Sequence, residues 1–168
     1  EYFVRRSMWL RNVALGIPIH GADLIYAFDE YSYTHYLYVM ALIQALVGFA
    51  PYGLHLFGIA LYMTGLVVLY KMIRPAFGGV VAAGGLLLLS FLPTLFAWSV
   101  SALKEPPFVA ISATAFAITI ATARTRSWGR MAAGIVALVV CAVVLQAIRD
   151  GGLVIAAISV GGGLLLTW

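Results

Sequence analysis

Charge is what this sequence has least of. From Pro75 to Leu103 there is no Asp, Glu, Lys or Arg, and from Pro106 to Ala123 there is none either. Of the 168 residues, 10% are charged and 64% are hydrophobic, against roughly 25% and 45–50% in soluble domains. That shortage excludes an ordinary water-soluble domain, because a core this large has to be wrapped in polar surface that the chain does not carry. There is one cysteine, Cys141. It excludes a disulfide within the chain, leaves the redox compartment open, and inside an apolar run reads as a small filler. The apolar runs lack the polar–apolar alternation of barrel strands and are too long for one, which excludes a membrane β-barrel. The net charge of +4 does not point to nucleic acid, because the bases flank oily runs, as they do beside a membrane.

What is present is a series of runs of bilayer-spanning length, about 17–25 mainly apolar residues each. Tyr31 to Tyr70 is long enough for two helices, broken near "APYG" (Ala50 to Gly53). Pro75 to Leu103 reads as one long span with Pro93 inside it; Pro106 to Ala123, Met131 to Ile148 and Gly151 to Trp168 read as one span each. The expected fold is all-α: a polytopic membrane bundle of five or six hydrophobic helices over residues 34–168, preceded by a polar, acidic interfacial loop over residues 1–33. Small residues at "AAGG" (82–85), "ISATA" (111–115) and "GGG" (161–163) allow helices to approach closely. Residues 1–30 contain no run of spanning length and no signal-peptide pattern. With Glu1 at the start and an oily run at the end, a fragment of a longer membrane protein is expected.

Basic residues suggest the sidedness, since cytoplasmic loops are enriched in Lys and Arg. Lys71 and Arg74 lie in one connection, and Arg124, Arg126 and Arg130 in another. Two spans separate these connections, so both are expected at the cytoplasmic face. The "ALKEPP" and "IRDGG" turns are then external. Arg5, Arg6 and Arg11 would put residues 1–30 in the cytoplasm if Thr34 to Phe49 crosses. A segment 34–49 lying along the outer surface would put them outside. The tyrosines at 31, 33, 36 and 38 favour the second arrangement, because aromatic rings collect at headgroup level.

The acids number six, and Asp23, Asp29 and Glu30 fall in one short stretch with His20 and His35. Carboxylates beside imidazoles have the donor types to hold a hard divalent cation, with Asp29, Glu30 and His35 as candidates. A carboxylate there can also act as general base on a hydroxyl. The spacing matches no metal signature, and ordinary solvated acids in an interfacial loop fit equally well. Lys104-Glu105, followed by Pro106-Pro107, stops one helix and starts the next: prolines suit a first helical turn, and an acid there complements the helix dipole. Arg149-Asp150 before Gly151-Gly152 reads as a turn. His55 and Gln146 either reach the interface or bond a neighbouring helix.

The order of these pieces resembles the membrane module of lipid-dependent glycosyltransferases of the GT-C fold, the class of protein O-mannosyltransferases and aminoarabinose transferases. The matching pieces are Asp23 to Glu30, "YLYVMALIQALVGFAPYG", "LVVLYKMIRPAFGG", "FLPTLFAWSVSALKEPP" and "LQAIRDGG". They cover roughly residues 20–160. The first spanning helix and the C-terminal helices of that family have no counterpart in this chain. The resemblance implies sugar transfer from a polyprenyl-phosphate-linked donor to an acceptor outside a bacterial inner membrane, with residues 1–50 external. It implies Asp29, then Asp23, as base or metal-binding carboxylate, Glu105 as the acid of the second outer loop, and Lys104 or Arg149 as holders of the donor phosphate. Two other classes stay open, a transporter or channel subunit and a structural subunit of a membrane complex. Charges at the ends of the spans rather than in their middles weigh against a transport pathway.

Overall fold

The computed structural model describes residues 2–28, 35–48, 51–92, 97 and 104–165. Within them the chain is all-α, with eight helices and no strand. They are α1 (Tyr2–Ala14), α2 (Gly21–Ala27), α3 (Tyr36–Val47), α4 (Pro51–Phe77), α5 (Gly79–Phe91), α6 (Glu105–Arg124), α7 (Trp128–Ile148) and α8 (Gly152–Leu165). Three of these, α4, α6 and α7, are long and apolar enough to cross a membrane. The chain is accordingly an integral membrane protein. Helices α3, α5 and α8 are apolar but shorter.

The centre is α6. It packs against α4, α7 and α8, while α4 also packs against α5, and α1 against α2 and α3. Its buried positions are Pro106, Pro107, Ala110, Ala113, Ala115, Thr119 and Ile120, mostly small side chains that let three neighbours come close. Two hydroxyls on this helix are satisfied internally: Thr114 donates to the Ala110 carbonyl at 2.8 Å and Thr119 to the Ala115 carbonyl at 2.9 Å, while the buried Ser112 Oγ has no partner. That matters where lipid offers no hydrogen-bond partner. Gly163 of α8 sits against Thr119, and Gly134 of α7 against Thr122. Of the small-residue runs in the sequence, those at 111–115 and 161–163 therefore form helix contacts. Gly84 and Gly85 face open space.

A close crossing of α4 and α6 is at Gly65, a residue the sequence did not single out. A Cβ there would lie 2.9 Å from the Ala110 Cα, a backbone atom that cannot swing away. We expect Gly65→Leu to destabilise the bundle by about 2–3 kcal/mol and to lower the detergent-unfolding midpoint clearly. Gly161→Leu, at a site with nothing within 4 Å, should stay close to wild type. Equal effects of the two would place the crossing elsewhere.

Several boundaries differ from those expected. Lys71 and Arg74, expected in a connection, and Pro75, expected at the head of the next span, lie inside α4, which continues to Phe77. Pro75 removes only the bond to the carbonyl one turn earlier, and so near the end the helix tolerates the loss. The true stop is Gly78, at φ +85 with its N–H bonded to the Arg74 carbonyl at 2.9 Å, a left-handed cap that glycine adopts freely. The run from Pro75 to Leu103 is not one helix, because α5 ends at Phe91 with Leu92 as its cap, just before Pro93. A residue preceding proline is pushed out of the helical region, and Leu92 is extended at φ −62, ψ 119. Residues 1–33, read as a loop, carry α1 and α2. The break near "APYG" holds, with α3 ending at Val47 and α4 starting at Pro51. With 12 residues, α3 rises about 18 Å, short of the ~30 Å hydrocarbon core.

Candidate functional site at one end of the bundle

The contacts along α6 fix which helix ends meet. Thr122 near its C-terminus meets Gly134 near the start of α7, and α8 follows α7 through the turn at Gly151. The end of α7 and the start of α8 therefore lie beside the start of α6. At that same end the His35 N–H donates to the Ala147 carbonyl at 3.2 Å, and Tyr36 senses the Glu105 charge. Leu54, early in α4, belongs to one buried cluster with Tyr36, Met40 and Val4. The starts of α3, α4, α6 and α8 and the end of α7 thus gather at one polar end, and α1 packs there on α3. Gly78 and Ser127 occupy the other end, so the two basic connections share one side, as the charge pattern predicts.

Lys104 is the N-cap of α6, Glu105 its first residue, and Pro106 and Pro107 complete the first turn. The prolines cost nothing here, because first-turn amides have no partner within the helix. Glu105 is half-buried, and its Oε2 has no hydrogen-bond partner. A lone buried carboxylate oxygen is costly unless something donates to it. Tyr36, only 4% exposed, is its neighbour. Burial, and after it the Glu105 charge, pushes the Tyr36 phenol up to about 12, so the phenol stays neutral across the physiological range.

Arg149 caps α7, is exposed, and bonds the Leu145 carbonyl through its backbone N–H at 3.1 Å. This leaves its guanidinium on the surface of the polar end, with exposed Asp150 next to it. Gln146 does bond a neighbouring helix: its Oε1 accepts from the Leu153 N–H of α8 at 3.2 Å. His35 is exposed, with its ring centroid 6.4 Å from that of Tyr38. Asp23 lies in the first turn of α2 and is half-buried; α2 packs on α1, with Ala27 buried beside Leu10 and Leu37. Asp29 and Glu30, with Tyr31 and Tyr33, lie outside the described residues. Among the described residues no three of His, Cys, Asp and Glu come together as metal ligands, and His35 is the one metal candidate of the three that is placed.

The structure thus places His35, Glu105, Lys104 and the turn holding Arg149 at the same end of the bundle, from three separate stretches of sequence. Sequence reasoning missed that Tyr36 is buried within reach of the Glu105 charge, and it missed Arg6. That arginine counts toward a cytoplasmic N-terminus in a charge tally, yet it is fully buried. A buried guanidinium is held by the protein rather than by water, so it carries no weight as a solvated flank, and the conflict over residues 1–30 loses part of its basis. No protein-family model, curated protein or solved structure matches this chain.

Proposed function

We propose that the chain is the membrane module of a GT-C-type glycosyltransferase that moves a sugar from a polyprenyl-phosphate donor to an acceptor hydroxyl, at the outer face of a bacterial inner membrane. The observation that carries the reading is the meeting of the segment at 35–36, Lys104-Glu105 and the Arg149 turn at one end of an oily bundle. A lipid-linked phosphate presents its charge at that level while its tail stays in the bilayer. Lys104 and Arg149 hold the phosphate oxygens by charge-assisted hydrogen bonds. Asp29, or Asp23 in second place, accepts the proton of the acceptor hydroxyl. The acceptor oxygen attacks the anomeric carbon, the bond from that carbon to the phosphate oxygen breaks, and polyprenyl phosphate leaves with the electron pair. Glu105, with neutral Tyr36 behind it, takes a hydrogen bond from a sugar hydroxyl through the oxygen that has no protein partner. The test is transfer by the full-length protein in vesicles supplied with a polyprenyl-phosphate-linked sugar. Vesicles showing no transfer with any such donor would count against the reading.

A further inference from the structure

The end of the bundle away from Glu105 has a different charge balance. Lys71 and Arg74 lie in the last turns of α4, Arg124 ends α6, Arg126 is in the connection, and Arg130 is in the first turn of α7. All five are exposed. The described acids, Asp23, Glu105 and Asp150, belong to α2, to the head of α6 and to the turn after α7, all at the opposite end. Among the described residues, then, five cations gather here with no acid. Their fields add, and an anion brought among them is attracted by the sum.

A basic flank needs its charges only in the connection. Here Lys71 and Arg74 are on the helix itself. Measured from the crossing at Gly65 and Ala110, Arg74 lies about 13 Å along α4 and Arg124 about 21 Å along α6, at 1.5 Å per residue. The basic surface therefore runs up the side of the bundle by about 8 Å, and it meets apolar side chains there. Phe77 is 56% and Val80 89% exposed beside Arg74 in the chain, Trp128 is 82% exposed between Arg126 and Arg130, and Val81 and Ile135 are exposed further along α5 and α7. A free anion would match the charges and leave the apolar half of this surface in water. A phospholipid matches both, with its phosphate at the cations and its chains on the neighbouring helix faces. We propose that this end of the bundle is a docking surface for anionic phospholipids, whose headgroup oxygens accept from Lys71, Arg74, Arg126 and Arg130 and whose acyl chains lie along Val80, Val81 and Ile135. This stands whether or not the transferase reading does.

The test uses the full-length protein in phosphatidylcholine vesicles with a trace of photoreactive lipid, either phosphatidylglycerol or phosphatidylcholine bearing the same diazirine chains, and maps the cross-links. Phosphatidylglycerol should label residues 71–81 and 126–136 about tenfold more than phosphatidylcholine, the worth of one to two basic residues per headgroup. Lys71→Gln with Arg74→Gln should lower that excess at least about threefold in the first segment, and Arg126→Gln with Arg130→Gln in the second. Raising the salt from about 0.01 M to about 1 M, which shortens the screening length from about 30 Å to about 3 Å, should bring the excess below about threefold in the wild type. Equal labelling by the two lipids, or an excess that neither salt nor the substitutions reduce, would overturn the proposal. So would the absence of labelling by either lipid, which would show the surface covered by protein. The salt series can be read even if the substituted proteins fail to insert.

Discussion

Asp29→Asn in the full-length protein should lower sugar transfer by about 10²–10⁴-fold, the contribution of a positioned general base. The substitution keeps size and removes the charge and basicity. Asp29 stands six residues before His35, and His35 is bonded to the end of α7. Expression and the detergent-unfolding midpoint should stay as in wild type. Asp23→Asn should have the smaller effect, because Asp23 belongs to α2, which packs on α1. Near-normal transfer by Asp29→Asn would remove the base from the proposed mechanism.

Lys104→Ala and Arg149→Ala should each raise the donor KM about 10–100-fold while changing kcat little. A charge-assisted hydrogen bond contributes about 1.5–3 kcal/mol, and each 1.4 kcal/mol is tenfold. The phosphate is charged before, during and after transfer, so contacts to it bind ground state and transition state alike and appear in KM. Lys104 is fixed as the cap of α6 and Arg149 as the cap of α7, so the two cations approach a ligand from different helices. A loss confined to kcat would mean that the contact forms only in the transition state. No change in either variant would leave the phosphate with other partners.

The parts of this fold legible in the sequence were those set by the bilayer or by rigid residues. The uncharged run from 106 onward gave α6, and the prolines at its head gave its start. The break before Pro51 was legible for the same reason. What stayed hidden depended on tertiary contact. The helix α1 contains Arg5, Arg6 and Arg11, and its signal was masked because Arg6 and Ser7 are enclosed by packing rather than by water. The uncharged run places Pro75 at the head of the next span, but a proline in the last turn forfeits one bond, and Gly78 decides the end. The site was legible as a set of separate charged turns. That the segment at 35–36 joins them follows from the bond between His35 and Ala147, which no local pattern announces.

That convergence is the claim on which the proposed site depends, and paired cysteines test it. In the full-length protein with Cys141→Ser, the pair His35→Cys and Ala147→Cys should cross-link readily on mild oxidation in native membranes, because the two backbones are hydrogen-bonded at 3.2 Å. The pair Gly78→Cys and Ala147→Cys, at opposite ends of the bundle, should remain uncross-linked. Cross-linking of 78 with 147 but not of 35 with 147 would place the N-terminal segment away from Glu105 and Arg149 and contradict the account.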